Sequence, residues 1–180
     1  MIPNIRASRR RLTADPTIIV VGLFVFALDQ IAKAAVVARL GPDASKHTIE
    51  VLGSLLRLSY VTNSGAAFGL FTDKTIVFAI IGCIAVPFFV FSRGFLEVDH
   101  PFLRFVMGLL LGGTLGNLVD RIRIGYVVDY IDFGLGATRF YTFNVADCAF
   151  VVGIIILSAY LLFWPDQHPA DESVQKSEAS

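Results

Sequence analysis

Residues 112–147 read GGTLGNLVDRIRIGYVVDYIDFGLGATRFYTFNVAD, and they place a dense polar cluster between two apolar runs. Four carboxylates (Asp120, Asp129, Asp132, Asp147), two asparagines (Asn117, Asn144) and Arg121 stand in this stretch. Its opening is the end of a helix, because Gly108, Gly112 and Gly116 recur every four residues on one face, and such small residues let helices approach closely. The next position in that series is Asp120. The middle, YVVDYIDF, alternates and predicts a strand, with ATRFYTF as its pairing partner. An apolar helix resumes near Asn144. Ionisable groups at membrane depth are costly to bury, so the cluster is a functional-site hypothesis.

Composition points to the membrane. The chain has 180 residues, of which 55% are hydrophobic and only 17% charged, against about 25% charged in a soluble domain. Mean hydropathy is +0.68. A single integral membrane domain is expected. Fifteen basic and 15 acidic side chains cancel, leaving no basic footprint for nucleic acid. Cys83 and Cys148 have no redox or metal spacing and read as small buried side chains.

Four spans are expected, joined to a small outward-facing β-sheet. Residues 1–16 form a cytoplasmic tail carrying Arg6, Arg9, Arg10 and Arg11 before Pro16, a helix-starting residue. Residues 17–164 form the four-span core, and 165–180 a disordered cytoplasmic tail. The first span runs from Thr17 to about Leu40; Asp29, Gln30 and Lys33 inside it argue against a cleaved signal peptide. Thr48 to Asn63 predicts a hairpin, and Gly65 and Gly69 permit close turns beyond it. Asp73 caps a second span of 74–92, with Pro87 as a kink. After a short connection, 93–100, the third span runs from Pro101 to about Arg121. The fourth runs from Asn144 to Trp164, an interfacial aromatic before Pro165. Seven Lys or Arg residues fall on each side, so orientation rests on the N-terminal arginines. By the positive-inside rule they put both termini in the cytoplasm and the polar cluster outside.

Asn117, Asp120 and Arg121 are spaced i, i+3, i+4 and share a helix face, while Asn144 and Asp147 repeat the i, i+3 step. If the third and fourth helices pack through the glycine seam, Asp129 and Asp147 meet at the membrane surface. Two carboxylates in one site cannot both ionise cheaply, so the pair holds a proton and offers an acid and a base. His47, His100 and His168 lie in different loops and read as solvated. No Ser–His, Cys–His or metal-ligand pattern is evident, and neither metal nor cofactor is expected. Asp29 and Lys33, one turn apart, read as a structural pair, and Asp132 as a solvated strand residue. Arg121 either snorkels to the interface or orients Asp120 or a substrate. Two other readings are a proton- or ion-coupled transporter using Asp29, and an assembly factor binding a partner through its glycine face.

Four blocks, DQIAK at 29–33, NSGAAF at 63–68, GNLVDR with VVDYIDF at 116–133 and FNVAD at 143–147, resemble lipoprotein signal peptidase (signal peptidase II), a bacterial inner-membrane aspartyl endopeptidase family. The resemblance covers about residues 17–164. It implies that Asp129 and Asp147 are a catalytic dyad, and that Asn63, Gly65, Asn117, Arg121 and Asn144 line the site or contact substrate and inhibitor. Asp29, Lys33 and Asp120 become supporting polar residues. The implied substrate is a diacylglyceryl-modified prolipoprotein in the lipid membrane, cut on the N-terminal side of its lipidated cysteine. Globomycin is the implied inhibitor, and the implied site lies at the periplasmic surface. Which prolipoproteins are processed, and the oligomeric state, stay open.

Overall fold

Asp15 and Pro16 start the first helix, α1 (Pro16–Leu40): the Asp15 carboxylate accepts from the Thr17 N–H at 2.9 Å, and proline at the first turn needs no N–H partner. The computed structural model describes residues 13–42, 44–45, 47–65, 74–92, 100–136 and 138–163. After α1 come β1 (Thr48–Leu52), β2 (Leu56–Asn63), α2 (Thr75–Val90), α3 (Pro101–Ile124), β3 (Val127–Leu135), β4 (Thr138–Arg139) and α4 (Val145–Phe163). Gly125, at φ 82°, stops α3 in the left-handed conformation that glycine tolerates, so the helix ends at Ile124, three residues beyond Arg121, where the sequence suggested an end.

Helix α3 is the centre of the bundle. Gly108 lies against Val21, Gly112 against Val25 and the Gly22 carbonyl, and Gly116 against Asp29, so α1 runs parallel to α3. A Cβ on Gly112 would sit 2.5 Å from the Val25 Cβ, which explains why glycine occupies that seam. This corrects one expectation in part: Gly108 and Gly112 join α3 to α1, and only Gly116, which also lies against the Ala146 Cβ, meets the fourth helix as well. Helix α4 uses the adjoining face, with Phe150 over Gly113 and Gly153 against Leu110, antiparallel to α3. Successive residues are about 100° apart around a helix, so a stripe and its neighbour meet different partners. Helix α2 packs antiparallel on a third side, Gly82 against Leu118 and Phe89 near Met107 and Leu110.

Among the described residues, three helices, α1, α3 and α4, are long and apolar enough to cross a membrane. The 16 residues of α2 rise about 24 Å, short of a hydrocarbon core of about 30 Å. Lys74 occupies its N-cap position without a side-chain hydrogen bond. The Asp73 cap, Gly69, Trp164 and both expected tails (apart from 13–16) lie outside the described residues. Val20, Phe24 and Ile31 of α1, Ile84 of α2 and Leu162 of α4 are exposed, whereas Asp29, Lys33 and Asp129 are buried. Apolar outside and polar inside suits lipid as the solvent. Cys83, expected to be buried, is exposed on α2.

The sheet order is β1-β2-β3-β4, antiparallel throughout. Gly53 turns the expected hairpin, and β2 then pairs with β3 through Asn63↔Val127 and Val61↔Asp129. A bulge between Leu58 and Val61 shifts that register. Beneath the sheet, Tyr130 packs with Val36 and Leu40 of α1. Asp132 is not the solvated residue expected: it accepts from Arg139 Nε at 2.9 Å and Ser59 Oγ at 3.4 Å, bracing neighbouring strands.

Candidate active site

The start of α4 and the middle of β3 converge on Asn144. Its side-chain oxygen accepts from the Asp147 N–H at 2.8 Å, while the Asp147 carboxylate accepts from the Asn144 N–H at 3.2 Å. This reciprocal cap accounts for the i, i+3 spacing of FNVAD. The Asn144 amide nitrogen donates to Asp129 Oδ1 at 2.6 Å and to Asn117 Oδ1 at 3.1 Å. Asn117 in turn donates from Nδ2 to Asp147 Oδ1 at 2.6 Å. The expected meeting of Asp129 and Asp147 is therefore observed, with both carboxylates bonded to Asn144.

Asp129 is fully buried, and Asn63 at the end of β2 donates to its second oxygen at 2.9 Å. The same Asn63 amide nitrogen lies 2.5 Å from the Tyr141 hydroxyl, and its oxygen accepts from the Gly65 N–H at 2.9 Å. Burial, then the neighbouring Asp147 charge, push the Asp129 carboxyl up from 3.8 to about 7, although hydrogen bonds from Asn63 and Asn144 and the Lys33 charge pull the other way.

Arg121 donates to the Gly65 carbonyl at 2.9 Å and the Asn117 carbonyl at 3.4 Å, and its guanidinium lies 5.2 Å from the centre of the Phe78 ring. It thus clamps the segment after β2 to α3. Asp120, grouped with Arg121 by spacing, faces α1 instead. Lys33 Nζ is 2.7 Å from Asp120 Oδ2 and 2.8 Å from Asp29 Oδ2, and Gln30 donates to Asp120 Oδ1 at 3.0 Å. The expected Asp29–Lys33 pair is present, and Asp29 also accepts from the Ala146 N–H at 3.0 Å.

A cavity of about 240 Å³ opens between α2, α3 and α4, walled by Phe78, Phe89 and Phe150, with Asn117, Arg121 and Asp147 at its polar end. An apolar cleft ending on a carboxylate suits a lipidated or strongly apolar ligand. Among the described residues, no group of three His, Cys, Asp or Glu is placed to hold a metal ion. His47 contacts the Leu40 carbonyl at 3.2 Å, and His100 caps α3; His168 lies outside the described residues. Tyr141 and Phe78 were not singled out from sequence, since an aromatic among other apolar residues carries no spacing signal of its own.

The sequence model described as Signal peptidase (SPase) II matches residues 21–163. The chain is 41% identical over 144 residues to the lipoprotein signal peptidase of Moorella thermoacetica, covering 80% of this chain and 91% of that one. It is 39% identical over 146 residues to the lipoprotein signal peptidase of Clostridioides difficile, covering 81% and 95% respectively. A solved structure described as a bacterial membrane enzyme, determined in meso at 2.3 Å, superposes with TM-score 0.69 at 30% identity, over 86% of this chain and 93% of the other.

Proposed function

Since this chain belongs to the signal peptidase II family of membrane-embedded proteases that process lipoprotein precursors, we propose that it is an aspartic endopeptidase. Its reacting groups are Asp129 and Asp147, and it cuts on the N-terminal side of a diacylglyceryl-modified cysteine. The observation that carries this reading is a carboxylate pair, Asp129 buried and Asp147 half-buried, both bonded to one asparagine, with Asp129 raised to about 7.

Asp129 then holds a proton near neutrality and is the acid. Asp147, which accepts N–H groups at both oxygens and stands at the polar end of the cleft, is the base. Asp147 takes a proton from water as the water oxygen bonds to the scissile carbonyl carbon. Asp129 gives its proton to the carbonyl oxygen, leaving a neutral gem-diol. Collapse breaks the C–N bond: the proton on Asp147 passes to the departing cysteine nitrogen, and a diol hydroxyl returns a proton to Asp129. One water is consumed and both carboxyls return to their starting states. Asn63, Gly65, Asn117, Arg121 and Asn144 hold the pair and contact substrate, and a globomycin-type inhibitor occupies the same place.

The cleft beside Asp147 admits the apolar signal segment or the acyl chains. Helix α2, extended by its flanks, is the second of four spans. Both termini lie in the cytoplasm and the sheet end faces the periplasm across the bacterial inner membrane, on the strength of the N-terminal arginines. The transporter reading loses its best feature, because Asp29 is held by Lys33 and the Ala146 N–H instead of lining a route.

The test is purified protein in lipid with a diacylglyceryl-modified precursor and its unmodified twin. A product beginning at the lipidated cysteine, from the modified precursor alone, is expected. Equal cutting of both, or no product, would overturn the reading.

A further inference from the structure

Helix α1 contributes neither carboxylate of the reacting pair, yet its Lys33 bonds three groups that stand behind them. The side chain is 4% exposed, and its ammonium has three donors and three acceptors: Asp120 at 2.7 Å, Asp29 at 2.8 Å and Asn117 Oδ1 at 3.0 Å. An ammonium donates only, so the Asn117 oxygen must face Lys33, and its NH2 is left to face Asp147. Asn144 Nδ2 donates to the same oxygen at 3.1 Å, so Lys33 supplies one of the two donors that keep the Asn117 NH2 turned to Asp147.

The other two acceptors act on the backbone. Asp29 accepts from the Ala146 N–H, one residue before Asp147. Asp120 accepts from the Val128 N–H at 3.3 Å, one residue before Asp129. A single cation on α1 therefore sits behind the start of α4, the strand β3 and the amide bonded to Asp147.

We propose that Lys33 is a positioning residue for the hydrolysis, its ammonium setting the Asn117 amide and, through Asp29 and Asp120, the placement of both carboxylates. This rests on the reading of Asp129 and Asp147 as the reacting pair. The charged or titratable groups around Asp129 are Asp147 from α4, Lys33 from α1, Arg121 from α3 and, through Asn63, Tyr141. Lys33 lowers the affinity of Asp129 for its proton, so removing the cation raises that affinity.

The experiment compares the native chain with Lys33→Gln and with Lys33→Met/Asp120→Asn, using a lipidated precursor in lipid. The double variant keeps the cluster's net charge while removing the donor. Each variant should insert and elute as a folded protein, with kcat lowered ~100-fold, as for a misplacement of about 1 Å, and KM changed by less than about threefold. In Lys33→Gln the high-pH limb of kcat/KM should move upward. A purely structural residue would reduce the folded fraction and leave kcat per folded molecule and the pH limb in place. Native kcat in either folded variant, or failure of both to fold, would overturn the proposal. A native chain that cuts no lipidated precursor would instead sink the functional reading beneath it.

Discussion

Asp129→Asn should remove a pH-dependent loss of stability that the native chain carries. The Asp129 carboxyl is raised from 3.8 to about 7, so the folded protein keeps that proton longer than the unfolded chain. Its contribution is fully present below the ordinary carboxyl value and is lost as pH rises through about 7. At 1.36 kcal/mol for each pH unit, the whole effect is about 4 kcal/mol, and the part between pH 5 and pH 8 is about 2.5 kcal/mol. The asparagine has no proton to lose. It does turn an NH2 towards the donors of Asn63 or Asn144, a cost of about 1 kcal/mol that does not vary with pH. The difference between the two pH values is thus the informative quantity. Thermal unfolding in detergent at pH 5 and pH 8, followed by circular dichroism, should show the native midpoint falling about 5–10 °C further than the variant's. Parallel shifts in the two proteins would refute a raised Asp129.

The same proton governs turnover: kcat/KM should decline above about pH 7 as Asp129 ionises, and a profile flat to pH 9 would remove Asp129 as the acid. Gly112→Leu should push α1 from α3, because even its Cβ meets Val25 and the Gly22 carbonyl; a loss of about 1–3 kcal/mol or more, read as a lower unfolding midpoint, is expected. Cleavage should persist in the presence of chelators and of serine- or thiol-directed reagents, and loss with a chelator alone would point to a metal-dependent step.

Much of the site was legible because its signals are local. The Asn144–Asp147 step is a capping pair within one helical turn, and Asp29–Lys33 is an i, i+4 pair. Alternation exposed β3 and the hairpin of β1 and β2, though not its turn at Gly53. What escaped depended on which faces meet. Repeating glycines announce a close helix contact without naming the partner, so α1 was missed as the seam's other half. For the same reason Asp120 and Arg121, adjacent in sequence, were grouped although one turns to Lys33 and the other to Gly65. Asp132 finds Arg139 only because β4 folds back on β3, and Tyr141 reaches Asn63 from that returning segment.

The most direct measurement is single-turnover cleavage of a diacylglyceryl-modified precursor by folded, lipid-reconstituted Asp129→Asn and Asp147→Asn proteins beside the native chain. Product mass identifies the bond cut. The expected outcome is a product beginning at the lipidated cysteine from the native chain and none above background from either variant. Near-native turnover by either one would contradict the shared-proton pair at the centre of the mechanism.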